Sequence, residues 1–156
     1  MSGTILVVAE SGEGGLRPIS LELVTAARKI AGLSGASVTT LLMGSGVDDA
    51  ATILGGAGID RLLVADDPAL SQLSTEVLAA TLEKAINALE PVAVLVPSTT
   101  AGIEYAPRVA ARLDLPIASD CVDLGFEDGA LIAVRPVLGG RVQSAVKISA
   151  GGPAVL

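Results

Sequence analysis

The residues best equipped for chemistry are Ser98, Thr99, Thr100 and Gly102, a hydroxyl-rich turn between the apolar run 92–96 and an amphipathic segment. Three hydroxyls and free backbone N–H groups at the carboxyl end of a strand make the polar rim at which an open α/β sheet receives its ligand. Ala9 and Glu10 close the first apolar run and Gly44 follows the second, so all three are expected to face that turn across the sheet and complete a groove. Two readings of the groove stand side by side: contact with an adenine nucleotide, or helix capping and subunit packing. Glu10 opposes a bound phosphate.

Other candidates carry less chemistry. Glu10-Ser-Gly-Glu-Gly-Gly-Leu-Arg17 approaches a dinucleotide fingerprint, but G-x-G-x-x-G begun at Gly12 and Gly14 needs glycine where Arg17 stands. A ribose-binding carboxylate is also missing after Leu41-Leu-Met-Gly44, so the loop reads as a flexible surface segment. It equally lacks the Asp and second Ser of an ATP-pyrophosphatase S-G-G-x-D-S loop. Asp48 and Asp49 are adjacent at a helix start, where their side chains diverge, so they suit the positive end of the helix better than a metal. Arg108, Arg135 and Arg141 can each clamp an anion with two N–H groups, but at helix and turn positions they are expected to pair within the structure or across a subunit interface. Cys121, in an apolar setting, reads as a small buried hydrophobe. Tyr105 can stack on a ring, but its helical stripe with Val109 makes core packing the default reading.

Composition removes most catalytic designs. The chain has no His, which excludes an imidazole base, a His metal ligand and a Ser-His-Asp triad. One Cys excludes an internal disulfide and a multi-thiolate metal site. No catalytic residue and no metal are expected. A net charge of −7 with ten scattered basic residues argues against a nucleic-acid surface. Mean hydropathy is positive, yet no apolar run approaches the roughly 20 residues a membrane span requires. No signal peptide is evident, which points to a cytoplasmic or organelle-matrix location.

The elements that must hold the groove follow a regular order. Strands are expected at 4–9, 36–43, 61–65 and 92–96. Helices are expected from Pro18 to about Ala31 with Gly32 closing it, from Asp48 to about Leu54, from a Ser74 cap to about Leu89, and from close to Ile103 to Leu113. Pro107 is tolerable only near a first turn, which sets that last start. Glu22 near the start of the first helix and Arg28 and Lys29 near its end suit the helix dipole. Strand–helix alternation predicts right-handed crossovers, a mostly parallel sheet and helices on both faces.

The pattern changes after Leu113. Residues 117–122 are expected to form a short strand, Phe126-Glu-Asp-Gly-Ala130 a hairpin turn, and 131–135 and 141–149 its neighbours, with Gly139-Gly140 supplying the second reversal. Val142, Ser144, Val146 and Ile148 alternate with Arg141, Gln143, Ala145 and Lys147, as in a half-covered antiparallel strand. Pro153-Ala-Val-Leu156 begins one more strand, and a chain that stops there reads as an engineered or proteolytic truncation. One domain over 1–156 is expected, with a parallel α/β core to about 113 and a β-rich extension beyond it.

Five segments, in order, resemble the amino-terminal domain of the electron transfer flavoprotein alpha subunit. They are Ile5-Leu-Val-Val-Ala-Glu10, Pro18-Ile-Ser-Leu-Glu-Leu-Val-Thr-Ala-Ala-Arg28, Thr100-Ala-Gly-Ile-Glu-Tyr-Ala-Pro-Arg-Val-Ala-Ala-Arg-Leu113, Pro116-Ile-Ala-Ser-Asp120 and Val134-Arg-Pro-Val-Leu-Gly-Gly140. One departure is Ile103 before Glu104, where the family usually carries a basic residue. The resemblance implies a three-layer α/β/α domain with a mostly parallel, Rossmann-like sheet of the adenine-nucleotide alpha-hydrolase type and a small antiparallel extension. It implies an electron carrier, not an enzyme, serving acyl-CoA or other flavin dehydrogenases, as in fatty acid β-oxidation, and delivering to an acceptor such as a quinone oxidoreductase. In that family FAD sits mainly on the carboxyl-terminal domain of the alpha subunit, absent here, and the beta subunit uses its own groove for AMP. This chain is therefore expected to be a scaffold that docks onto the beta subunit and holds no flavin. The alternative is a stand-alone adenine-nucleotide module of the universal-stress-protein kind, against which stands the lack of a G-x-x-G and distant G-[ST] after the central strand.

Overall fold

The computed structural model describes residues 3–71, 74–148 and 153–156. β1 (Thr4–Gly12), β3 (Ser37–Gly44), β4 (Arg61–Asp66), β5 (Ala93–Leu95) and β9 (Ala154–Val155) form one parallel sheet in the order β4-β3-β1-β5-β9, and β2 (Gly15–Leu16) turns back antiparallel on the end of β1. Register places Ile5 between Val38 and Ala93, and Leu6 between Thr39 and Val94. The chain order reverses between β1 and β5, so the sheet is doubly wound with a switch point there.

Alternation along β1 explains the layers. Ile5, Val7 and Ala9 join a core with α1 (Pro18–Ser34) and α2 (Asp48–Gly55), whereas Leu6 and Val8 join a second core with α3 (Thr75–Leu89) and α4 (Thr100–Arg112). Every apolar residue of this strand from Ile5 to Ala9 is buried, as a central strand covered on both faces requires. Three layers, α/β/α, are the result. Among the described residues no helix is long and apolar enough to cross a membrane.

Residues β6 (Asp123–Glu127), β7 (Ala130–Val137) and β8 (Val142–Ile148) form a separate antiparallel sheet. Asp128 and Gly129 both take positive φ, the geometry that closes a tight hairpin, and Leu138, Gly139 and Gly140 do so at the next reversal. Leu124, Leu131 and Ala133 carry the base of this sheet onto the α1 side of the core, and Lys29 of α1 pairs with Asp123 at 2.8 Å.

Several boundaries differ from expectation. α1 does not close at Gly32 but runs to Ser34, where left-handed Gly35 ends it by donating its N–H to the Ala31 carbonyl at 2.8 Å. Arg28 and Lys29 consequently lie outside the last turn and Glu22 outside the first, so none complements the helix dipole at those ends. The segment 10–17 is not a free loop: Ser11 pairs with Leu16 and Gly12 with Gly15. Residues 117–122 do not form a strand, because Asp120 adopts φ 57° and breaks the extended run; only Ile117 bridges to Val155. Ser74 occupies the cap position of α3 without a side-chain hydrogen bond. Residue 149, expected to end β8, lies outside the described residues.

α4 begins at Thr100, a turn before Ile103, and Pro107 lies inside it. The early start follows from Thr99, whose hydroxyl accepts the Gly102 N–H at 3.1 Å. Pro107 removes the N–H that the Ile103 carbonyl needs, but both residues are exposed, so water can satisfy that carbonyl.

Candidate functional site

β1 ends at the switch point with Glu10 aimed at the start of α4. Its carboxylate accepts a hydrogen bond from the Thr99 hydroxyl at 2.8 Å, and that same hydroxyl accepts the Gly102 N–H. The Glu10 backbone is fixed as well: its N–H donates to Ser20 Oγ at 2.9 Å, Ser20 Oγ donates to the Glu10 carbonyl at 3.2 Å, and Arg17 N–H reaches that carbonyl at 2.9 Å. Fully buried Ser20 on α1 thus clamps the strand end that the β1–β2 hairpin then turns away. A carboxylate held beside a helix cap opposes an external anion at that helix start.

A cavity of about 280 Å³ opens beside this carboxylate. Ala9, Glu10, Thr99 and Thr100 line it together with Arg17, Met43, Leu78, Ala101, Glu104 and Tyr105. Burial raises the Glu10 pKa above its ordinary value, while the Thr99 hydrogen bond and the Arg17 charge oppose the rise. Tyr105 is 1% exposed, and its hydroxyl is buried without a hydrogen-bond partner. Burial, and secondarily the Glu10 charge, push its phenol well above the usual range, so it stays neutral.

The other groove residues lie elsewhere. Ser98 and Gly102 face a second, more apolar cavity of about 380 Å³ between α4 and residues 117–120, where Ser98 donates to Asp120 at 3.5 Å. Gly102 is needed for close approach, since a Cβ there would overlap the Pro97 carbonyl oxygen. Gly44 lies under Val47 and Ser11 Oγ and lines neither cavity. Ser98 and Thr99 are neighbours in the chain but open onto opposite sides of the α4 start.

Arg108 pairs with Glu76 of α3 at 2.7 Å, and Arg112 holds the second oxygen of Glu76 at 2.7 Å. The two guanidinium groups lower the Glu76 pKa, but all three side chains are substantially exposed, so the network contributes little stability. Arg135 donates to Ser119 Oγ at 3.4 Å, and its Nε is buried without a partner. Arg141 is exposed at the β7–β8 reversal. Burial, opposed by Arg135, raises the Cys121 pKa, and its Sγ donates to the Ala118 carbonyl at 3.2 Å, which favours the protonated, unreactive thiol. No three of the described Cys, Asp and Glu side chains are placed to hold a metal ion.

Sequence reasoning weighed ring stacking for Tyr105 and defaulted to core, and it passed over Arg17, Met43, Leu78 and Glu104 as groove residues. Leu78 comes from a helix distant in sequence, and no periodicity reveals that it closes this cavity. Tyr105 carried a usable signal: a phenol on a buried stripe must bring its hydroxyl to a partner or leave it orphaned.

A doubly wound parallel sheet with a polar cavity at its switch point places the chain in the Rossmann-like α/β class. The chain belongs to the electron transfer flavoprotein family: the family model described as an electron transfer flavoprotein domain matches residues 5–156. Among curated relatives, the lactate dehydrogenase (NAD(+),ferredoxin) subunit LctC of Acetobacterium woodii is 34% identical over 143 residues, covering 91% of this chain and 34% of that protein. Protein FixB of Clostridium saccharobutylicum is 35% identical over 144 residues, covering 91% of this chain and 43% of FixB. The electron transfer flavoprotein subunit alpha of Thermoanaerobacterium thermosaccharolyticum is 33% identical over 144 residues, covering 92% and 44% respectively. The chain thus spans between a third and a half of the length of these relatives.

Proposed function

We propose that this chain is the amino-terminal scaffold of an electron transfer flavoprotein alpha subunit, and that the tip of its three-stranded sheet docks onto the beta subunit. The parent carries electrons from flavin dehydrogenases, acyl-CoA dehydrogenases among them, to an acceptor such as a quinone oxidoreductase. One observation carries the docking role: Leu138, Val142 and Val146 on the β7–β8 hairpin are 75%, 48% and 37% exposed, an apolar surface that the chain leaves uncovered. Arg141, exposed beside them, supplies donors for acceptors on the opposing subunit, while Arg135, half-buried in mid-strand, reaches Ser119 Oγ at 3.4 Å. Arg108 serves a different end, tying α4 to α3 through Glu76.

FAD does not fit the residues described. The one Phe and the one Tyr are committed to the core, leaving no exposed ring to stack on an isoalloxazine. The cavities, about 230–380 Å³, lie at or below the low end of the range of about 300–1,000 Å³ that drug-sized ligands fill. Glu10 sets a negative charge beside the α4 start, where a pyrophosphate would meet it. In this reading the redox flavin belongs to the remainder of the parent protein. The same Glu10 argues against the nucleotide-module alternative.

Sedimentation of the chain with its cognate beta subunit tests the docking role. A 1:1 complex is expected, weakened at least about tenfold when Val142→Asp and Val146→Asp are combined, since two charges would be buried in the interface. No complex, or one indifferent to the double substitution, overturns the docking surface. Stoichiometric retention of FAD by the chain alone overturns the scaffold role, and micromolar heats with ATP or AMP in calorimetry would support the nucleotide module instead.

A further inference from the structure

The parallel sheet ends differently on its two sides. β9 at one edge is two residues long and is bridged by Ile117. β4 at the other edge is six residues long, and among the described residues its only strand partner is β3. An open edge is a template for another strand, and proteins blunt it with Lys, Pro or a bulge. β4 has none of these: it reads Arg-Leu-Leu-Val-Ala-Asp, and its register on β3 runs unbroken from Arg61 at Thr39 to Asp66 at Gly44.

That register also says which backbone groups are left over. Asp67 donates its N–H to the Gly44 carbonyl at 3.0 Å, so Arg61, Leu63 and Ala65, in phase with it, turn their N–H and C=O toward β3. Leu62, Val64 and Asp66 present theirs outward. Asp60, before the strand, reaches the Val38 carbonyl one residue out of this register. Leu62 and Val64 share the face that α2 covers, where Val64 is 48% and Ile53 of α2 is 50% exposed. Arg61 is exposed and makes no ion pair among the described residues.

Reversing a second β4 against the first brings the outward groups together in two well-overlapped registers. In the one centred on Leu63, Asp66 faces the partner's Asp60. In the one centred on Val64, Val64 meets the partner's Val64, Leu63 the partner's Ala65, and Arg61 the partner's Asp67, whose backbone is still extended at φ −149° and ψ 136°. Charge selects the second, which sets a carboxylate opposite each Arg61 at both ends of the pairing. We propose that the chain forms a two-fold dimer through β4, joining two parallel sheets into one, with Val64 on the axis and Arg61 paired to the partner's Asp67. A strand with its cation at one end and its acids at the other is complementary to its own reversed copy.

Sedimentation equilibrium of the chain alone, from micromolar to millimolar concentration, is expected to show a monomer–dimer equilibrium. Val64→Pro, which removes an outward N–H at the axis and none that β3 uses, is expected to abolish it. Charge variants keep the test decisive should proline unsettle the strand. Arg61→Glu and Asp67→Lys are each expected to weaken self-association at least about tenfold, because each sets a like-charge pair at both ends. Mixing these two variants restores opposite charges at both ends, so the mixture is expected to dimerise about as tightly as the parent chain. Hydrogen exchange reads the strand itself: the Leu62 and Asp66 amides are expected to be protected in the dimer and fast in Val64→Pro. A monomer throughout, equal dimerisation in every variant, or a mixture no tighter than its components overturns the proposal. Val142→Asp combined with Val146→Asp is expected to leave this dimer intact, which separates the result from that of the beta-subunit experiment. Loss of the dimer in that double variant assigns self-association to the hairpin, and protection of the β4 amides only after beta subunit is added assigns the edge to that subunit; either overturns the proposal.

Discussion

β1 and β8 both carry apolar residues at strand spacing, in an unbroken run in the first and in alternation in the second, and Ile5, Leu6, Val7 and Val8 are all buried while even the alternating Val142 and Val146 stand exposed. The difference lies in the neighbours. β1 has parallel partners on both edges and helices on both faces, whereas β8 is an edge strand whose sheet meets the core only at its base. Periodicity specifies that a strand forms and which residues share a face; it does not specify what covers that face. An uncovered face with the pattern of a covered one is the mark of a surface made for something else.

Paired substitutions test this contrast most directly. Leu6→Ala removes a fully buried side chain between Thr39 and Val94 and is expected to cost about 2–5 kcal/mol in urea unfolding, by lost transfer energy and the cavity left behind. Val142→Ala in the free chain is expected to change stability by no more than about 0.5 kcal/mol. Comparable losses at the two sites would mean that the β8 face is covered in the free chain, and the contrast would fail.

Gly102→Ala sharpens the comparison from the ligand end of the core. The added methyl runs into the Pro97 carbonyl oxygen, a backbone atom fixed by the preceding strand, so α4 must shift away from β5. An overpacking cost of about 1–3 kcal/mol is expected. The same substitution at Gly129 or Gly139 meets no atom and is opposed only by the left-handed backbone there.

The order of strands and helices was legible because the core positions of β1 and β5 are apolar without interruption, those of β3 are broken only by Thr39 and Thr40, and Gly, Pro and Asp mark the turns between them. The hairpin at Asp128-Gly129 was equally plain. What escaped was set by tertiary contacts or by single backbone torsions. Asp120 at positive φ cancels a strand that the apolar pattern of 117–122 favours, and a Thr99 cap starts α4 a turn earlier than Pro107 alone allows. The groove was legible as a place and not as a partition. Glu10 and Thr99 were expected on one rim and do meet at 2.8 Å, but the α4 backbone sends Ser98 and Gly102 to the far side. The phosphate-opposing role expected of Glu10 takes the form, in three dimensions, of occupation of the space beside the Thr99 cap by the chain's own acid.

That occupation gives the smallest expected effect and the one most specific in sign. A carboxyl whose folded pKa is raised binds its proton more tightly in the native state than in the unfolded chain, so it lowers stability as pH rises through the window between the unfolded value, about 4.5, and the folded one. Arg17 beyond β2 faces Glu10 with a favourable charge, while Glu104 and the neutral Tyr105 on α4 line the same cavity and supply none. Glu10→Gln keeps the acceptor for Thr99 and removes the buried charge. Its Tm is therefore expected to exceed that of the parent chain at pH 7, with the gain fading as pH falls through that window and gone below about 4.5, where the parent's carboxyl is protonated in both states. A scan of Tm from pH 3 to 8 for both proteins reads this directly. A variant less stable at pH 7, or a gap that widens in acid, would mean that the Glu10 charge is offset by Arg17 and the α4 terminus, and that this end of the core is as settled as the middle of β1.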